Sequence, residues 1–235
     1  MTPLIGCPHA VPAQKPCLEC CLSEAFTHST ALPDTVRQLA DTLHERSFSR
    51  GEQLYQEGGV ARTVTLVRSG LVKLTQSLPN GNQRIVRLRQ DGDIIGLESL
   101  VNHHYRHTAT AVSEVRACQL PAALIHVLEE FDRQVYDRLM AQWQRNLDEA
   151  DSFITELSTG TAEARLARLL LKLDGAQGSG RCPKLSREDI GSIIGVSTET
   201  ASRMMARFKR AGLVREHPTH FGECDTARLH RIADG

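Results

Sequence analysis

The 235-residue sequence lacks a long apolar run and carries no net charge. No stretch of about 18 uninterrupted apolar residues is present, so no membrane span is predicted. The first residues do not combine a basic start with an apolar segment, so we expect no signal peptide and a cytoplasmic location. Lys plus Arg and Asp plus Glu number 28 each, so the overall charge does not indicate a nucleic-acid partner.

The sequence also has no recognisable catalytic motif and no internal repeat. No nucleophile–base pairing, phosphate-binding loop or pair of carboxylates stands out, so we do not expect an enzyme. Internal repeats and low-complexity tracts are missing as well. The hydrophobic share of 40% and the charged share of 24% are ordinary for a globular protein of one large or two ordinary domains.

Positive charge is concentrated near the C-terminal end. Between Arg181 and Arg215 the sequence has eight Lys or Arg against three Asp or Glu. Residues 185–214 have the pattern of two short helices joined at Gly195-Val196-Ser197, with Ser197 as the N-cap of the second. This pattern predicts a helix-turn-helix. The side chains predicted to bury its two helices are Ile190, Ile193, Ile194, Met204, Met205 and Phe208.

The start of the second helix groups side chains that can read bases. A helix-turn-helix presents this end of its second helix to the major groove. Arginine can donate two bonds to guanine, glutamate can accept from cytosine N4, and serine suits either partner. The alternative is a solvated pair of amphipathic helices. We predict base contacts from Glu199, Ser202 and Arg203, and phosphate or flanking contacts from Thr198, Arg207 and Lys209.

The middle of the chain has the pattern of short strands, from Phe48 to about Leu120. Asn80-Gly81 is a strong hairpin signal between the apolar segments Leu71–Leu78 and Ile85–Leu88. Several short strands separated by glycine-containing turns favour a small barrel or roll. Just before this stretch, residues 32–46 are predicted to form a short helix.

A long helix is predicted from about Ala122 to Leu157. Apolar residues recur in it at 4-3-4-3-4-3 spacing, which is typical of a heptad seam. The seam consists of Tyr136, Met140, Trp143, Leu147, Ala150, Ile154 and Leu157. Such a stripe packs either on the chain's own roll or on a second copy. We favour a homodimer, because a reader of two-fold DNA sites needs one.

Four of the seven cysteines lie within residues 1–26. Cys17 and Cys20 have the C-x-x-C spacing that lets two thiolates reach one metal centre. Cys7 lies ten residues before Cys17, Cys21 adjoins Cys20, and Cys118 follows at the end of the predicted roll. In a cytosolic chain these cysteines indicate metal binding, redox activity or burial rather than a disulfide framework. A zinc site or simple thiols are the alternatives for this arm.

Several of these motifs resemble the CRP/FNR regulators, specifically the FNR type. Residues 190–203 follow Ile-Gly-x-x-x-Gly-Val-Ser-x-Glu-Thr-x-Ser-Arg, which is similar to the DNA-reading motif of that type. Residues 48–58, 67–73 and 91–96 resemble the β-roll of cyclic-nucleotide-binding-like domains. The resemblance extends from about Cys17 to about residue 230.

The resemblance implies an α+β architecture with a cyclic-nucleotide-binding-like β-roll, a long dimerisation helix and a C-terminal winged helix-turn-helix. The expected parts are a cysteine-rich cluster-binding arm at 1–26, a β-roll sensor domain at 27–120, a dimerisation helix at 121–158 and a DNA-binding domain at 159–235.

The resemblance also implies a 4Fe-4S cluster that makes the regulator responsive to oxygen. Its expected ligands are Cys7, Cys17, Cys20 and Cys118, although the arm departs from the best-known FNR spacing. Cys21 is the alternative to Cys7, because adjacent side chains diverge along an extended chain. With the cluster intact, a homodimer would bind double-stranded DNA at an inverted repeat of TTGAT half-sites and contact RNA polymerase.

A cyclic nucleotide is an unlikely ligand of the roll. The cAMP-binding relatives have Glu where this sequence has Leu97, and Arg where it has Thr108, while Arg106 lies two residues early. A haem or nitric-oxide sensor, with ligands from the group His103, His104 and His107, and a regulator of another small molecule remain as alternatives.

Overall fold

The computed structural model describes residues 44–79, 81, 83–131, 133–175, 182–217 and 220–234. The predicted arm ligands Cys7, Cys17, Cys20 and Cys21 therefore lie outside the described residues. The strands are β1 (His44–Phe48), β2 (Gln53–Tyr55), β3 (Thr63–Ser69), β4 (Val72–Ser77), β5 (Gln83–Arg89), β6 (Ile94–Ile95), β7 (Thr108–Ala111), β8 (Val115–Pro121), β9 (Cys182–Pro183), β10 (Val214–Glu216) and β11 (His220–Cys224). The α-helices are α1 (Ala122–Phe131), α2 (Arg133–Ser158), α3 (Ala162–Gly175), α4 (Arg187–Ile194), α5 (Thr198–Arg210) and α6 (Thr226–Asp234).

Two four-stranded antiparallel sheets form the predicted roll. Their strand orders are β1-β8-β3-β6 and β2-β7-β4-β5. Small, β-branched and aromatic residues fill the space between the sheets, where Val67, Val72 and Val115 are fully buried. The β4–β5 hairpin is confirmed, and Gly81 has the positive φ of 81° that its turn requires.

The predicted short helix is wrong at its C-terminal end. His44–Phe48 forms β1, which pairs with β8 in register from His44↔Gln119 to Phe48↔Val115. Phe48 is only 1% exposed because it enters the core of the roll. Backbone pairing with β8 and the burial of one aromatic ring therefore outweigh local helix preference here.

The long helical stretch comprises α1 and α2, with residue 132 between them outside the described residues, and α2 has two apolar faces. One face packs inside the chain through Leu139, Phe153 and Leu157, each at most 7% exposed. The adjacent face carries Tyr136, Met140, Leu147 and Ile154, which are 43–61% exposed. Only the second face was recognised from the heptad spacing, and Leu157 turns out to belong to the first.

The C-terminal part is a winged helix-turn-helix built around α3. Leu166, Leu169 and Leu170 of this helix are fully buried at the centre of a core shared with α4, α5 and α6. Thr161 caps α3, since its hydroxyl accepts from the backbone N–H of Ala164 at 3.1 Å. The wing is a three-stranded sheet in the order β10-β11-β9. Among the helices of the described ranges, none combines the length and apolarity that crossing a membrane requires.

A buried charge joins the roll to α2. The Arg89 side chain of β5 is 1% exposed, and its guanidinium donates to the carboxylate of Glu149 on α2. Within the described residues, the Nε and Nη2 atoms of Arg89 have no hydrogen-bond partner. Loss of Glu149 would leave a buried cation without its counter-charge, which is costly.

We predict that Glu149→Ala lowers the free energy of unfolding by about 1–3 kcal/mol. Arg89→Met should cost less, because it removes the buried charge and keeps most of the side-chain volume. The measurement is urea unfolding followed by circular dichroism. Asp137→Ala is the control on the same helix, since the pair of Asp137 with Arg133 is well exposed and should contribute little. Equal losses for Glu149→Ala and Asp137→Ala would contradict this account.

Candidate nucleic-acid interface and sensor site

The turn between α4 and α5 fixes the helix that carries the predicted base-reading residues. Ser197 caps α5, because its side-chain oxygen accepts from the backbone N–H of Thr200 at 3.1 Å. Gly195 ends α4 with a φ of 70°. A Cβ at Gly191 would lie 2.7 Å from the carbonyl oxygen of Val196, so only glycine fits this close approach. All six side chains predicted to bury the two helices are 6% exposed or less.

The outer side of α5 presents Thr198, Glu199, Ser202 and Arg203 to solvent. Arg203 donates from Nη2 to Oε1 of Glu199 at 2.6 Å, one helical turn away. Because these two side chains are 78% and 73% exposed, the pair contributes little to stability. Either side chain can therefore leave the pair for a base edge at small cost.

A basic groove of about 500 Å³ lies beside these residues. Its lining contains no acidic side chain and consists of Arg187, Ser202, Arg203, Ala206, Lys209 and Arg210. Sequence reasoning missed Arg187 and Arg210, although both lie within the basic segment that it had identified. Clustered cations on an open surface of this kind suit phosphate contacts.

Arg207 does not share the groove with Lys209. Its guanidinium instead pairs with the carboxylate of Glu163 on α3. The pair connects the recognition helix to the helix behind it, so Arg207 is engaged inside the chain in this structure.

The exposed apolar face of α2 contains most of the predicted dimer seam. Of the seven large apolar side chains that are exposed in the described ranges, four belong to it: Tyr136, Met140, Leu147 and Ile154. Trp143 and Ala150 are half-buried at its margin, and Trp143 packs partly on the chain's own roll. Leu157 is fully buried in the chain's own core, so it has no surface to offer a second chain and the seam ends at Ile154.

Cys118, the one predicted cluster ligand within the described residues, lies on the outer face of the roll. It is half-buried on β8, while its neighbours Ala117 and Val115 face the interior. Its side chain packs at the edge of an apolar cluster that includes Leu120, Leu139 and Trp143. Glu45 of β1, the first described strand, lies directly opposite Cys118.

The two other cysteines in the described ranges lie on strands of the wing. Burial raises the pKa of Cys224 to about 11, so its thiol is protonated at neutral pH and poorly suited to bind a metal. Cys182 lies on β9 of the wing, far along the chain from the arm. Across the described ranges, no three side chains of the His, Cys, Asp or Glu type come together in a way that could hold a metal ion.

A cleft of about 230 Å³ lies between the roll and α2, with Arg87, Glu98, Arg106 and His107 among its lining residues. Burial by itself would raise the pKa of Glu98, but interaction with His107 and hydrogen bonds from backbone N–H groups outweigh it and lower the pKa. Glu98 is therefore ionised at neutral pH.

Thr108 does not replace the missing arginine in this cleft. It is buried, and its hydroxyl accepts from the backbone N–H of Glu57 at 3.0 Å. Glu98 and Arg106, by contrast, line the same cleft although their sequence spacing differs from that of the cAMP-binding relatives.

Comparison with known proteins adds two family matches that together span more than half of the chain. Residues 45–130 match the cyclic nucleotide-binding domain, and residues 164–232 match the Crp-like helix-turn-helix domain. The chain is 26% identical to the transcriptional activator protein FnrA of Stutzerimonas stutzeri over 230 residues, which cover 94% of each chain. It is 23% identical to the fumarate and nitrate reduction regulatory protein of Escherichia coli over 205 residues, which cover 84% of this chain and 82% of the relative.

A solved structure shows the same architecture. FixK2 from Bradyrhizobium japonicum superimposes with a TM-score of 0.73 at 26% identity, covering 81% of this chain and 97% of FixK2. The roll, the long helix and the winged helix-turn-helix therefore form a known combination. The chain belongs to the CRP/FNR family of DNA-binding transcription regulators and is of the FNR type.

Proposed function

We propose that this regulator responds to oxygen through a 4Fe-4S cluster bound by Cys17, Cys20, Cys118 and either Cys7 or Cys21. We further propose that it binds an inverted-repeat DNA site as a homodimer while the cluster is intact. The observation that carries the proposal is the position of Cys118. This thiol lies on the outer face of β8, beside β1 and against the apolar cluster that contacts α2.

The donor set suits an iron–sulfur cluster. Four thiolates complete the coordination of a 4Fe-4S centre, and the C-x-x-C spacing of Cys17 and Cys20 is common among cluster ligands. Such a cluster is labile to oxygen, which gives the protein a ligand that is present in one condition and lost in the other. The two remaining cysteines, Cys182 and Cys224, lie in the DNA-binding part and are not needed for this site.

The chain can transmit the state of this site to the dimer seam. Cys118 packs against the cluster that contains Leu139 and Trp143, and both belong to α2. The adjacent face of the same helix presents Met140 and Leu147. A restraint on Cys118 therefore acts on the helix that would pair with a second copy. The effect is a two-state equilibrium biased by a ligand that prefers one state.

The outer side of α5 supports the proposed DNA roles. We assign base contacts to Glu199, Ser202 and Arg203, and contacts to phosphate or flanking positions to Thr198 and Lys209. Arg207 would join them only after releasing Glu163. The proposed target is an inverted repeat of TTGAT half-sites, and RNA polymerase is the proposed partner at promoters. The division into parts at residues 26, 120 and 158 is also proposed here.

A small-molecule effector is the alternative function, and the cleft at Glu98 favours it. Arg87 and Arg106 supply positive charge, while Glu98 can accept hydrogen bonds. Calorimetric titration with cAMP distinguishes the two functions. Saturable binding that strengthens DNA affinity in a cluster-free preparation would favour this alternative, and no heat of binding would exclude cAMP as the effector.

We predict that Cys118→Ser abolishes the cluster and the anaerobic DNA binding together. One of the four ligands is lost, and serine oxygen is a poor substitute for thiolate. The measurements are iron and sulfide content and electrophoretic mobility shift under nitrogen. Cys224→Ser is the control and should keep both properties. Unchanged anaerobic DNA binding in Cys118→Ser would contradict the proposed sensor but leave the DNA-binding role intact.

We predict that Arg203→Ala loses about 1–3 kcal/mol of discrimination at one base pair, because a bidentate contact to guanine is removed. Lys209→Ala should instead weaken binding about equally for all sequences and reduce the salt dependence. The measurement is fluorescence anisotropy on a panel of half-sites with single base changes. A uniform loss in Arg203→Ala would show that Arg203 contacts only phosphate.

We predict that Leu147→Asp shifts the anaerobic protein from dimer to monomer, because a charge would enter an apolar seam. Sedimentation velocity gives the two masses. Val60→Asp is the matched control, since Val60 is 57% exposed on the roll and is not part of the predicted seam. A dimer that survives Leu147→Asp would place the interface elsewhere.

A further inference from the structure

One side of α4 lies on the β4–β5 hairpin of the roll. Near the start of α4, Asp189 accepts a hydrogen bond from Nζ of Lys73 at 2.5 Å. Near its middle, Ser192 bonds to the backbone of β5. At its end, Nη1 of Arg84 lies 4.0 Å from where a Cβ of Gly195 would be. Positions 189, 192 and 195 are three residues apart, so they follow one side of the helix.

Ser192 satisfies backbone groups that a sheet edge would otherwise leave open. β5 is an edge strand in the order β2-β7-β4-β5. The backbone N–H of Ile85 donates to Oγ of Ser192 at 2.9 Å, and that hydroxyl donates to the carbonyl of Gln83 at 3.2 Å. Exposed edges need such cover, and here the helix-turn-helix provides it.

Apolar packing and a shielded ion pair reinforce these hydrogen bonds. The Lys73 and Asp189 side chains are 25% and 11% exposed, so their pair is largely removed from solvent. Roll residues and helix-turn-helix residues also belong to one buried cluster. Its members at this junction are Leu71, Ile85 and Val112 from the roll and Ile190, Ile193 and Ile194 from α4.

We infer that the β4–β5 hairpin is a docking cradle that fixes the orientation of the helix-turn-helix on the roll. The cradle bonds to α4 near its start and near its middle, and Arg84 lies beside its end, which restrains rotation as well as separation. It leaves the recognition side of α5 open, because Glu199 and Arg203 are well exposed in the docked arrangement. The docked arrangement is therefore able to bind DNA.

The cradle has a consequence for DNA recognition, and this part rests on the proposed homodimer. Dimeric helix-turn-helix proteins read half-sites about one helical turn apart, so the separation of the two recognition helices selects the spacing. The roll holds α2 through Arg89 and holds α4 through the cradle. Lys73 and Ser192 would thus be positioning residues for half-site spacing, acting through α4 and without touching DNA.

Hydrogen exchange tests the cradle in the absence of DNA. In the wild-type protein, the amide of Ile85 should be protected although it belongs to an edge strand. Lys73→Glu places a second carboxylate next to that of Asp189. The repulsion should speed hydrogen exchange at the Ile85 amide at least tenfold. The charge-swapped variant Lys73→Glu/Asp189→Lys should restore protection, and Lys172→Glu, which alters an ion pair between α2 and α3, should leave it unchanged.

Two outcomes would overturn the cradle. One is fast exchange of the Ile85 amide in the wild-type protein. The other is identical exchange in wild-type protein and Lys73→Glu. Circular dichroism of each variant ensures that the comparison is made between folded proteins.

A spacer series then tests the effect on DNA. Affinity for inverted repeats with different spacers should show one maximum for the wild-type protein. Lys73→Glu should flatten the profile and lower the maximum about tenfold, while affinity for a single half-site is unchanged. A spacing profile that Lys73→Glu leaves intact would contradict the positioning role. If the wild-type protein binds no inverted repeat while Ile85 is protected, the proposed function fails and the cradle stands.

Discussion

The structure depends on α2 having two apolar faces. One face is fixed to the roll and the core through Leu139, Phe153 and Leu157, while the other leaves Met140, Leu147 and Ile154 in solvent. Burial of the first face fixes the position of the second. A group of exposed apolar side chains on one helix face indicates an interaction surface. Any change in the roll that moves α2 therefore alters the proposed subunit contact, which is the basis of a regulator built on this fold.

Polar contacts connect the roll with the rest of the chain at two further places. Arg89 reaches Glu149 on α2 from the end of β5, and the same strand receives Ser192 of α4 at its edge. β5 thus contacts both the helix of the dimer seam and the first helix of the DNA-binding unit. Because a single strand contacts both elements, a change at the roll can act on pairing and on the placement of α5 at once.

Sequence reasoning found what depends on local patterns. The glycine turn at Gly195, the cap at Ser197 and the hairpin at Gly81 are encoded within a few residues, and the structure has all three. It missed features that depend on distant partners. β1 forms by pairing with β8, which is about 70 residues away in the sequence. Leu157 is buried in a core that includes later helices, and Arg207 forms an ion pair with Glu163. The cluster ligands, Cys118 as well as those of the arm, remain a prediction.

The most direct test of the central claim uses one preparation in two conditions. Protein purified under nitrogen is examined by absorption spectroscopy and analytical ultracentrifugation, and then again after exposure to air. The account predicts a brown dimer that becomes a colourless monomer as iron and sulfide are released. A colourless anaerobic protein with one zinc per chain, or a mass that does not change in air, would contradict it.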